Sequence, residues 1–310
     1  GLFSYLAYEN GSVVFDLLSP KERFGEIVTN KTPIFSMSMG KSVTSYLLGH
    51  AICAGYIPNI DHTMSDWPLV TNTLYEDVAL GDLINMRAGD QKHAHMQKGL
   101  LKSGRWYNNY TISDIMKNEL YGTSKDKSVF NYNGLVANLV FNYIIFKSDN
   151  DFQKLIDELF KKKIGIAENI FFIKHKGEPD NTGPARNTMY ATRHDYLRIA
   201  LAILSDWKND TCVGGYLKEI YKRRKSKDLN RAPTTIFSYQ YGYGGFFHTD
   251  YSGTLGRNII SMDGFGGQAI WIDLDLSRVV AAHSVISNYD WKNIIGGMIK
   301  NGEIKNSAWN

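Results

Sequence analysis

The stretch Phe35-Ser36-Met37-Ser38-Met39-Gly40-Lys41-Ser42 decides how this chain is interpreted. It places the hydroxyl of Ser38 and the amine of Lys41 three residues apart, which on a helix puts both groups on one face, about one turn apart. A serine hydroxyl is a weak nucleophile until a neighbouring base takes its proton. Because burial disfavours the ammonium form, a partly desolvated Lys41 is suited to be that base. The pair therefore predicts acyl transfer on Ser38.

Two other interpretations compete for this stretch. An S-x-x-K spacing arises by chance in most chains of this length, usually as a solvated pair. Gly40-Lys41-Ser42 also looks like the end of a phosphate-binding loop, but that loop needs a glycine five positions before Gly40, where Phe35 stands. The nucleotide-binding interpretation is therefore rejected. The choice between a catalytic and a solvated pair depends on the surrounding residues.

The residues after the pair favour a helix. From Ser42 to Gly55 the apolar positions recur every three or four residues, and Gly55 suits a helix C-terminus. The segment Thr32-Pro33-Ile34-Phe35 before it is predicted to be extended. Ser38 is thus expected at or near a helix N-terminus, where the positive end of the helix dipole favours developing negative charge.

The composition is that of an ordinary globular protein. Of the 310 residues, 43% are hydrophobic and 21% are charged. The 35 basic and 31 acidic residues leave a net charge of +4, which is too weak to indicate a nucleic-acid partner. No run of about 18 apolar residues occurs, so no membrane-spanning segment is expected. A disulfide between Cys53 and Cys212 stays open, because the sequence alone does not decide it.

The first residues, Gly1 to Tyr5, read as a strand and not as a signal peptide. The compartment therefore stays open between periplasmic or secreted and cytoplasmic. The oligomeric state stays open as well. His93 and His95 have a spacing that suits a metal, but no carboxylate or cysteine completes the set, so a surface role is favoured. We expect no metal and no cofactor.

The order of predicted elements indicates an α+β fold. Residues 3–8 and 12–16 flank Asn10-Gly11, the strongest short-range signal for a β-hairpin. Helices are predicted over residues 80–86, 111–120, 135–146, 152–160, 192–206 and 290–301. Strands are predicted over residues 239–248, 258–262, 269–273 and 278–283. We expect an antiparallel sheet built from both chain ends and flanked by helices.

This order also predicts two domains. Residues 1–61 and 188–310 would form an α/β domain, and residues 62–187 would form a mainly helical insertion. A substrate site would lie in the cleft between them.

Four segments, in this order, resemble the β-lactamase and penicillin-binding-protein superfamily. They are Phe35 to Ser42, the nucleophile motif; Val78 to Gly89, a helix similar to LRDLLxMTSG; Phe130-Asn131-Tyr132-Asn133-Gly134, similar to the F-x-Y-S-N segment; and Gly264-Phe265-Gly266-Gly267-Gln268, similar to a G-H-G-G-Q strand. Within the superfamily the chain is most similar to family VIII esterases, class C β-lactamases and nylon-oligomer (6-aminohexanoate) hydrolases. The resemblance implies a β-lactamase/transpeptidase-like α/β fold.

The resemblance also implies roles for particular residues. Ser38 would form the acyl-enzyme, Lys41 would be the adjacent base or proton relay, and Tyr132 would act as general base and then as acid, partly ionised by the Lys41 cation. Backbone N–H groups of Ser38 and Gln268 would form the oxyanion hole. The residues expected to contact substrate are Trp106, Asn133, Phe265, Gly266 and Gly267. Tyr107, in Tyr107-Asn108-Asn109, is the alternative tyrosine.

Two departures from the family pattern narrow the function. Gly134 stands where the tyrosine motif has asparagine, and Phe265 stands where β-lactamases have lysine. Phe265 cannot anchor the carboxylate of a penicillin. The sequence therefore predicts a serine hydrolase, a carboxylesterase or amidase, acting on a small ester or linear amide. The alternatives are a D-amino-acid peptidase or β-lactamase-like enzyme that recognises penicillin, and a catalytically silent binding or sensor protein on the same fold.

Overall fold

The fold is described from a computed structural model. It describes residues 1–20, 28–94, 101, 103–104, 110–166, 168–174, 185–227, 240–251, 253–254 and 256–302. The mixed α/β architecture and the antiparallel sheet confirm the predicted fold class.

An eight-stranded antiparallel sheet forms the framework, with strand order β2-β1-β11-β10-β9-β8-β7-β6. Its strands are β1 (Leu2–Glu9), β2 (Ser12–Leu18), β6 (Lys225–Ser226), β7 (Gln240–Gly244), β8 (Phe247–Tyr251), β9 (Ile259–Gly264), β10 (Gln268–Asp273) and β11 (Arg278–Ser284). The predicted hairpin at Asn10-Gly11 is confirmed, and both turn residues have positive φ, as such turns require. Pairing of β1 with β11 confirms that the sheet is built from both chain ends.

A second, three-stranded sheet has the order β3-β5-β4. Its strands are β3 (Ile34–Phe35), β4 (Phe171–Lys174) and β5 (Ala185–Ala191). Neither β4 nor β5 was predicted. β5 crosses the predicted domain boundary at residue 187, and it packs directly on the helix that carries Lys41. The division into two domains stays a prediction.

The helices pack on both sheets. They are α1 (Met39–Cys53), α2 (Leu80–Ile84), α3 (Ile112–Ile115), α4 (Gly134–Ser148), α5 (Phe152–Ile156), α6 (Arg193–Lys208), α7 (Cys212–Lys222) and α8 (Gly297–Asn301). Helix α1 contacts β5 and β9, and α6 contacts β11. π-helical turns continue α3 over Met116–Leu120 and α5 over Asp157–Lys163, and another precedes α8 over Lys292–Gly296. Thr111 and Thr192 cap α3 and α6 by accepting a backbone N–H three residues on.

The central helix α1 confirms the helix predicted after Ser38, and it is buried on nearly all sides and not only along its apolar positions. Its small polar residues are buried with hydrogen bonds. Ser42 donates to the carbonyl of Phe246 over 2.7 Å, and Ser45 lies 2.8 Å from the hydroxyl of Tyr216. Bonded hydroxyls of this kind are tolerated inside a core, which lets α1 sit between α4, α7 and the sheet.

Residues 239–248 do not form one strand, contrary to the prediction. β7 and β8 are two strands of a hairpin that turns at Gly245 and Phe246, both with positive φ. The alternation of side chains in the sequence continues through the turn, so this alternation alone does not reveal where the turn lies. A residue outside the hairpin stabilises the turn: the N–H of Phe246 donates to the carbonyl of Ile84 over 2.7 Å.

The structure pairs Cys53 with Cys212 in a disulfide, which the sequence had left open. The bond joins the last residue of α1 to the first residue of α7, across 159 residues of sequence. It fixes the end of α1 that lies farthest from Ser38.

Candidate active site

The turn before α1 is held in place by β5. Ser36 donates its N–H to the carbonyl of Met189 over 2.8 Å, and its Oγ accepts the N–H of Met189 over 2.9 Å. Met37 then adopts a positive φ of 48°. Such a conformation is costly for a residue with a side chain, and it persists only where the surroundings hold it. The turn presents Ser38 at the N-cap of α1, which confirms its expected place at a helix start.

The hydroxyl of Ser38 and the amine of Lys41 are in contact. Lys41 Nζ donates to Ser38 Oγ over 2.9 Å. Lys41 lies in the first turn of α1 and is only 6% exposed, so the pair is not the solvated pair that chance would supply. The structure therefore brings together the two groups that the S-x-x-K spacing predicts.

Tyr132 lies beside Ser38 and Lys41, on a short segment that is held by Asp90. Asp90 is buried, and its carboxylate accepts from Asn131 Nδ2 over 2.7 Å and from Asn133 Nδ2 over 3.0 Å. Asn133 Oδ1 also accepts the N–H of Val136 and caps α4. Both polar ends of Asn133 are thus engaged inside the protein. The geometry favours a role for Asn133 in holding Tyr132 and not in contacting substrate.

The phenol of Tyr132 completes a cluster of three functional groups. Lys41 Nζ lies 4.8 Å from the centre of the Tyr132 ring, and the Tyr132 hydroxyl makes a hydrogen bond with Ser38. Burial raises the pKa of Tyr132; the bond with Ser38 opposes this rise and the charge of Asp263 adds to it. Burial therefore favours the protonated phenol, and the expectation that Lys41 leaves it partly ionised stays a prediction.

The glycine-rich segment lies beside the nucleophile turn, where β9 ends and β10 begins. A Cβ on Gly264 would lie 2.9 Å from the carbonyl oxygen of Ser36, so only glycine allows β9 to approach this closely. Gly266 and Gly267 form the turn, with φ of 86° and 89°. Gln268 opens β10. The segment is therefore placed where the expected oxyanion hole, the backbone N–H groups of Ser38 and Gln268, would form.

The rim of the site beside this turn is apolar. Phe265 lies in the turn and is 80% exposed. Val285 and Ile286, which follow β11, are also exposed. Ser284 donates its hydroxyl to the carbonyl of Gly266 over 2.5 Å, which holds the end of β11 against the turn.

Some predicted residues lie outside the described part of the chain. These are Trp106, the alternative tyrosine Tyr107, and His95. Among the residues that are described, no group of three or more His, Cys, Asp or Glu side chains is arranged to hold a metal ion. In the same part of the chain, no helix combines the length and apolarity that crossing a membrane requires.

Sequence reasoning missed a second polar cluster behind Tyr132. It consists of Lys227, Gln240, His248 and Asp263, which come from the end of β6 and from β7, β8 and β9. Lys227 is 1% exposed, and His248 and Gln240 are buried. In the sequence, the signal for this cluster is a polar residue at an inward position in each of three neighbouring strands. The prediction of residues 239–248 as one strand left out the β7–β8 turn, and this hid the alternation.

The comparisons with known proteins agree with this architecture. No protein-family model and no curated protein matches the sequence. Among solved structures, the proposed 6-aminohexanoate-dimer hydrolase from Bacillus anthracis is similar at 18% identity and a TM-score of 0.65, covering 93% of this chain and 75% of that one. EstCE1, a hydrolase with promiscuous acyltransferase activity, is similar at 13% identity and a TM-score of 0.66, covering 92% and 90%.

A third solved structure extends the similarity along the chain. The octameric penicillin-binding-protein homologue from Pyrococcus abyssi is 15% identical with a TM-score of 0.66, covering 99% of this chain and 74% of that one. Together these structures define the class: the chain has the fold of the β-lactamase and penicillin-binding-protein superfamily. This confirms the β-lactamase/transpeptidase-like fold that the four sequence segments implied.

Proposed function

We propose that this protein is a serine hydrolase that forms an acyl-enzyme on Ser38 and hydrolyses a small ester or linear amide. The observation that carries the proposal is the 2.9 Å hydrogen bond from Lys41 Nζ to Ser38 Oγ, with the Tyr132 hydroxyl bonded to the same serine. A nucleophile within reach of two proton-carrying groups is what acyl transfer requires.

Acylation begins with Lys41 in its amine form, in which the Ser38 hydroxyl donates to Nζ across the same 2.9 Å contact. Lys41 takes the proton of Ser38 as Oγ attacks the carbonyl carbon, and the carbonyl oxygen becomes an oxyanion facing the N–H groups of Ser38 and Gln268. When the oxyanion collapses, the bond to the leaving group breaks and Tyr132 donates its proton to that group. The Lys41 ammonium then returns a proton to Tyr132. A water molecule repeats the sequence in place of Ser38 and releases the acid.

The assignment of Tyr132 as the acid follows from its burial, which keeps the phenol protonated. The exposed Phe265 at the rim favours acyl or leaving groups without a charge. Neither ester nor amide is preferred by these features, and the similar solved structures support a hydrolase without choosing between them.

The proposal is tested by labelling and turnover. A fluorophosphonate should label Ser38, and a p-nitrophenyl ester should be hydrolysed, with both lost in Ser38→Ala. The control is Ser12→Ala at an exposed serine of β2, which should keep the label. A folded wild-type protein that takes no label would contradict the proposal and favour a silent binding protein. Labelling by a fluorescent penicillin would favour the penicillin-recognising alternative.

The role of Tyr132 is tested by changing the leaving group. p-Nitrophenolate departs without a proton, whereas an alkoxide needs one. Tyr132→Phe should therefore lower kcat/KM about 10²-fold or more for an alkyl ester, and far less for the p-nitrophenyl ester of the same acid. Equal losses on both esters would show that Tyr132 acts before the leaving group departs, as the base for Ser38.

A further inference from the structure

The carboxylate of Asp90 binds the residues on both sides of Tyr132. Its Oδ1 accepts from Asn131 Nδ2 over 2.7 Å, and its Oδ2 accepts from Asn133 Nδ2 over 3.0 Å. Oδ2 also accepts the hydroxyl of Tyr75 over 2.8 Å. Asp90 is 1% exposed, and its three partners are buried as well. The two neighbours of the proposed proton donor are thus tied to one carboxylate inside the core.

The amides of Asn131 and Asn133 use both of their N–H groups. Asn131 Nδ2 also donates to the carbonyl of Ala94 over 3.0 Å, and Asn133 Nδ2 also donates to the carbonyl of Asn131 over 3.0 Å. The backbone N–H of Asn131 donates to the carbonyl of Met86 over 2.8 Å. Reversing either amide would turn its oxygen toward these acceptor oxygens. The bonds therefore fix the direction of both side chains and the path of the backbone between them.

The direction of the two amides determines where the ring of Tyr132 points. The backbone is extended at Asn133, with φ of −146° and ψ of 162°. In an extended segment neighbouring side chains point to opposite sides. Two amides that face Asp90 therefore place the ring between them on the opposite side, where its hydroxyl bonds to Ser38 and its centre lies 4.8 Å from Lys41 Nζ.

The position of Asp90 requires a side chain that only accepts hydrogen bonds. An ionised carboxylate has two oxygens and no hydrogen, so it accepts from all three donors at once. Burial raises the pKa of the Asp90 carboxyl, and the bonds from Asn131, Tyr75 and Asn133 oppose this rise. An amide of the same size would present an N–H₂ group to at least one of these donors. The carboxylate is thus needed here for its acceptor oxygens and not for its size.

We propose that Asp90 is a positioning residue for the reaction, which holds the amides on either side of Tyr132 so that the phenol points at the leaving group. A proton donor acts only within hydrogen-bond reach of the group that it protonates, and a displacement of about 1 Å can lower the rate about 10²-fold. The proposal rests on the proposed function of Tyr132 as the proton donor to the leaving group.

The test compares an alkyl ester with the p-nitrophenyl ester of the same acid. Asp90→Asn keeps the size of the side chain and places a donor against donors. It should lower kcat/KM on the alkyl ester by about 10-fold or more, and far less on the p-nitrophenyl ester, in the same order as Tyr132→Phe. A loosened fold would lower both alike. The matched control is Asp206→Asn, at another buried carboxylate that accepts from three side chains, and it should keep the wild-type ratio of the two esters.

The double variant Asp90→Asn/Tyr132→Phe tests whether Asp90 acts through Tyr132. Once the phenol is absent its position no longer matters, so the double variant should hydrolyse the alkyl ester as fast as Tyr132→Phe alone. Losses that multiply would overturn the proposal. If Asp90→Asn does not fold, Asn131→Leu replaces it in both comparisons, because it removes one donor and nearly preserves the shape. An unchanged ratio of the two esters in that variant would refute the proposal.

Failure of this proposal is separable from failure of the proposed function. If the wild-type protein hydrolyses no ester and Ser38 takes no label, the hydrolase function is wrong. The position of the phenol is then read without turnover, from the ¹³C resonance of labelled tyrosine that disappears in Tyr132→Phe. This resonance should move in Asp90→Asn and keep its place in Asp206→Asn. A resonance that keeps its place in both variants would contradict the positioning role.

Discussion

The two ends of α1 use polar groups in opposite ways. At the N-terminal end, Lys41 donates to Ser38, a hydroxyl that the proposed reaction consumes. At the other end, Asp206 accepts from Lys163 over 2.6 Å, from Thr211 over 2.8 Å, and from Tyr46. Lys41 donates to an atom that the proposed reaction changes, whereas the donors to Asp206 bind a carboxylate of α6 that has no part in the proposed reaction.

This difference teaches how one helix serves both stability and chemistry. The Asp206 cluster and the Cys53–Cys212 disulfide tie the C-terminal half of α1 to α7 and to the turn after α6. The strained turn at Met37 can then be held at the N-terminal end, because the helix that follows it is anchored elsewhere. Changes at the first end should alter turnover, and changes at the second should alter unfolding.

The largest expected effect is at the catalytic end. Lys41→Met should lower kcat/KM on an ester by about 10³-fold, because it removes a general base while nearly preserving volume. The thermal unfolding midpoint should stay close to that of the wild type. The matched control is Lys31→Met, at an exposed lysine whose side chain is 84% accessible. If Lys41→Met lowers stability and leaves turnover unchanged, the two ends of α1 do not differ in the way described.

Asp206→Ala should produce the opposite outcome. Removing one partner from a buried, bonded cluster costs about 3–5 kcal/mol, which denaturant unfolding measures. The value of kcat/KM per folded molecule should remain near the wild-type value. Glu158→Ala, at an exposed ion pair with Lys162, should cost less than about 1 kcal/mol. An equal cost for the two substitutions would show that the cluster does not anchor α1.

Removing the disulfide should have a smaller effect. The double substitution of Cys53 and Cys212 by alanine releases a long closed loop, which lowers the free energy of unfolding by about 2–4 kcal/mol. Esterase activity below the unfolding transition should be unchanged. Unfolding of the wild type with and without dithiothreitol gives the same comparison without mutation. Loss of activity in the folded double variant would mean that the two ends of α1 are coupled.

The smallest effect concerns pH. Burial lowers the pKa of His50 to about 4, the Lys163 cation adds to this, and Asp206 opposes it. The unfolded chain therefore binds the proton first as pH falls, so stability that is present above pH 6.5 is lost between 6.5 and 4. His50→Gln should reduce this loss by about 3 kcal/mol at pH 4, and should leave the stability near pH 7 unaffected by this titration. His283, whose pKa burial lowers to about 3, should keep part of the dependence in the variant. If the free energy of unfolding of His50→Gln falls with pH as steeply as that of the wild type, His50 does not cause the pH dependence.

Much of the fold was readable from local signals. Asn10-Gly11 predicted its hairpin, and the helices predicted from residues 111 and 192 begin at the caps Thr111 and Thr192, because turn and cap chemistry acts over only a few residues. The contact between Ser38 and Lys41 was also predictable, since both lie on one turn of helix.

Features that depend on residues far apart in the sequence could not be predicted from it. β5 is held by α1 and α4 and carries no pattern of its own; the N–H of Asn187 in it donates to Asn138 over 3.0 Å. The inward turn of Asn133 depends on Asp90, 43 residues away. The raised pKa of Tyr132 depends on burial that only the assembled core provides. The roles proposed for Tyr132, Gln268 and Phe265 stay predictions.

The position of β1 in the sheet has a consequence for synthesis. β1 pairs with β11, and Glu9 bonds to Arg278 across 269 residues. A ribosome adding about 5–20 residues per second needs about 15 to 50 s to make that stretch. Throughout this interval the β1 edge of the newly made β1–β2 hairpin is unpaired, and β11 closes that edge when it arrives. A chaperone that covers exposed strand edges should therefore contact this hairpin early and release it last.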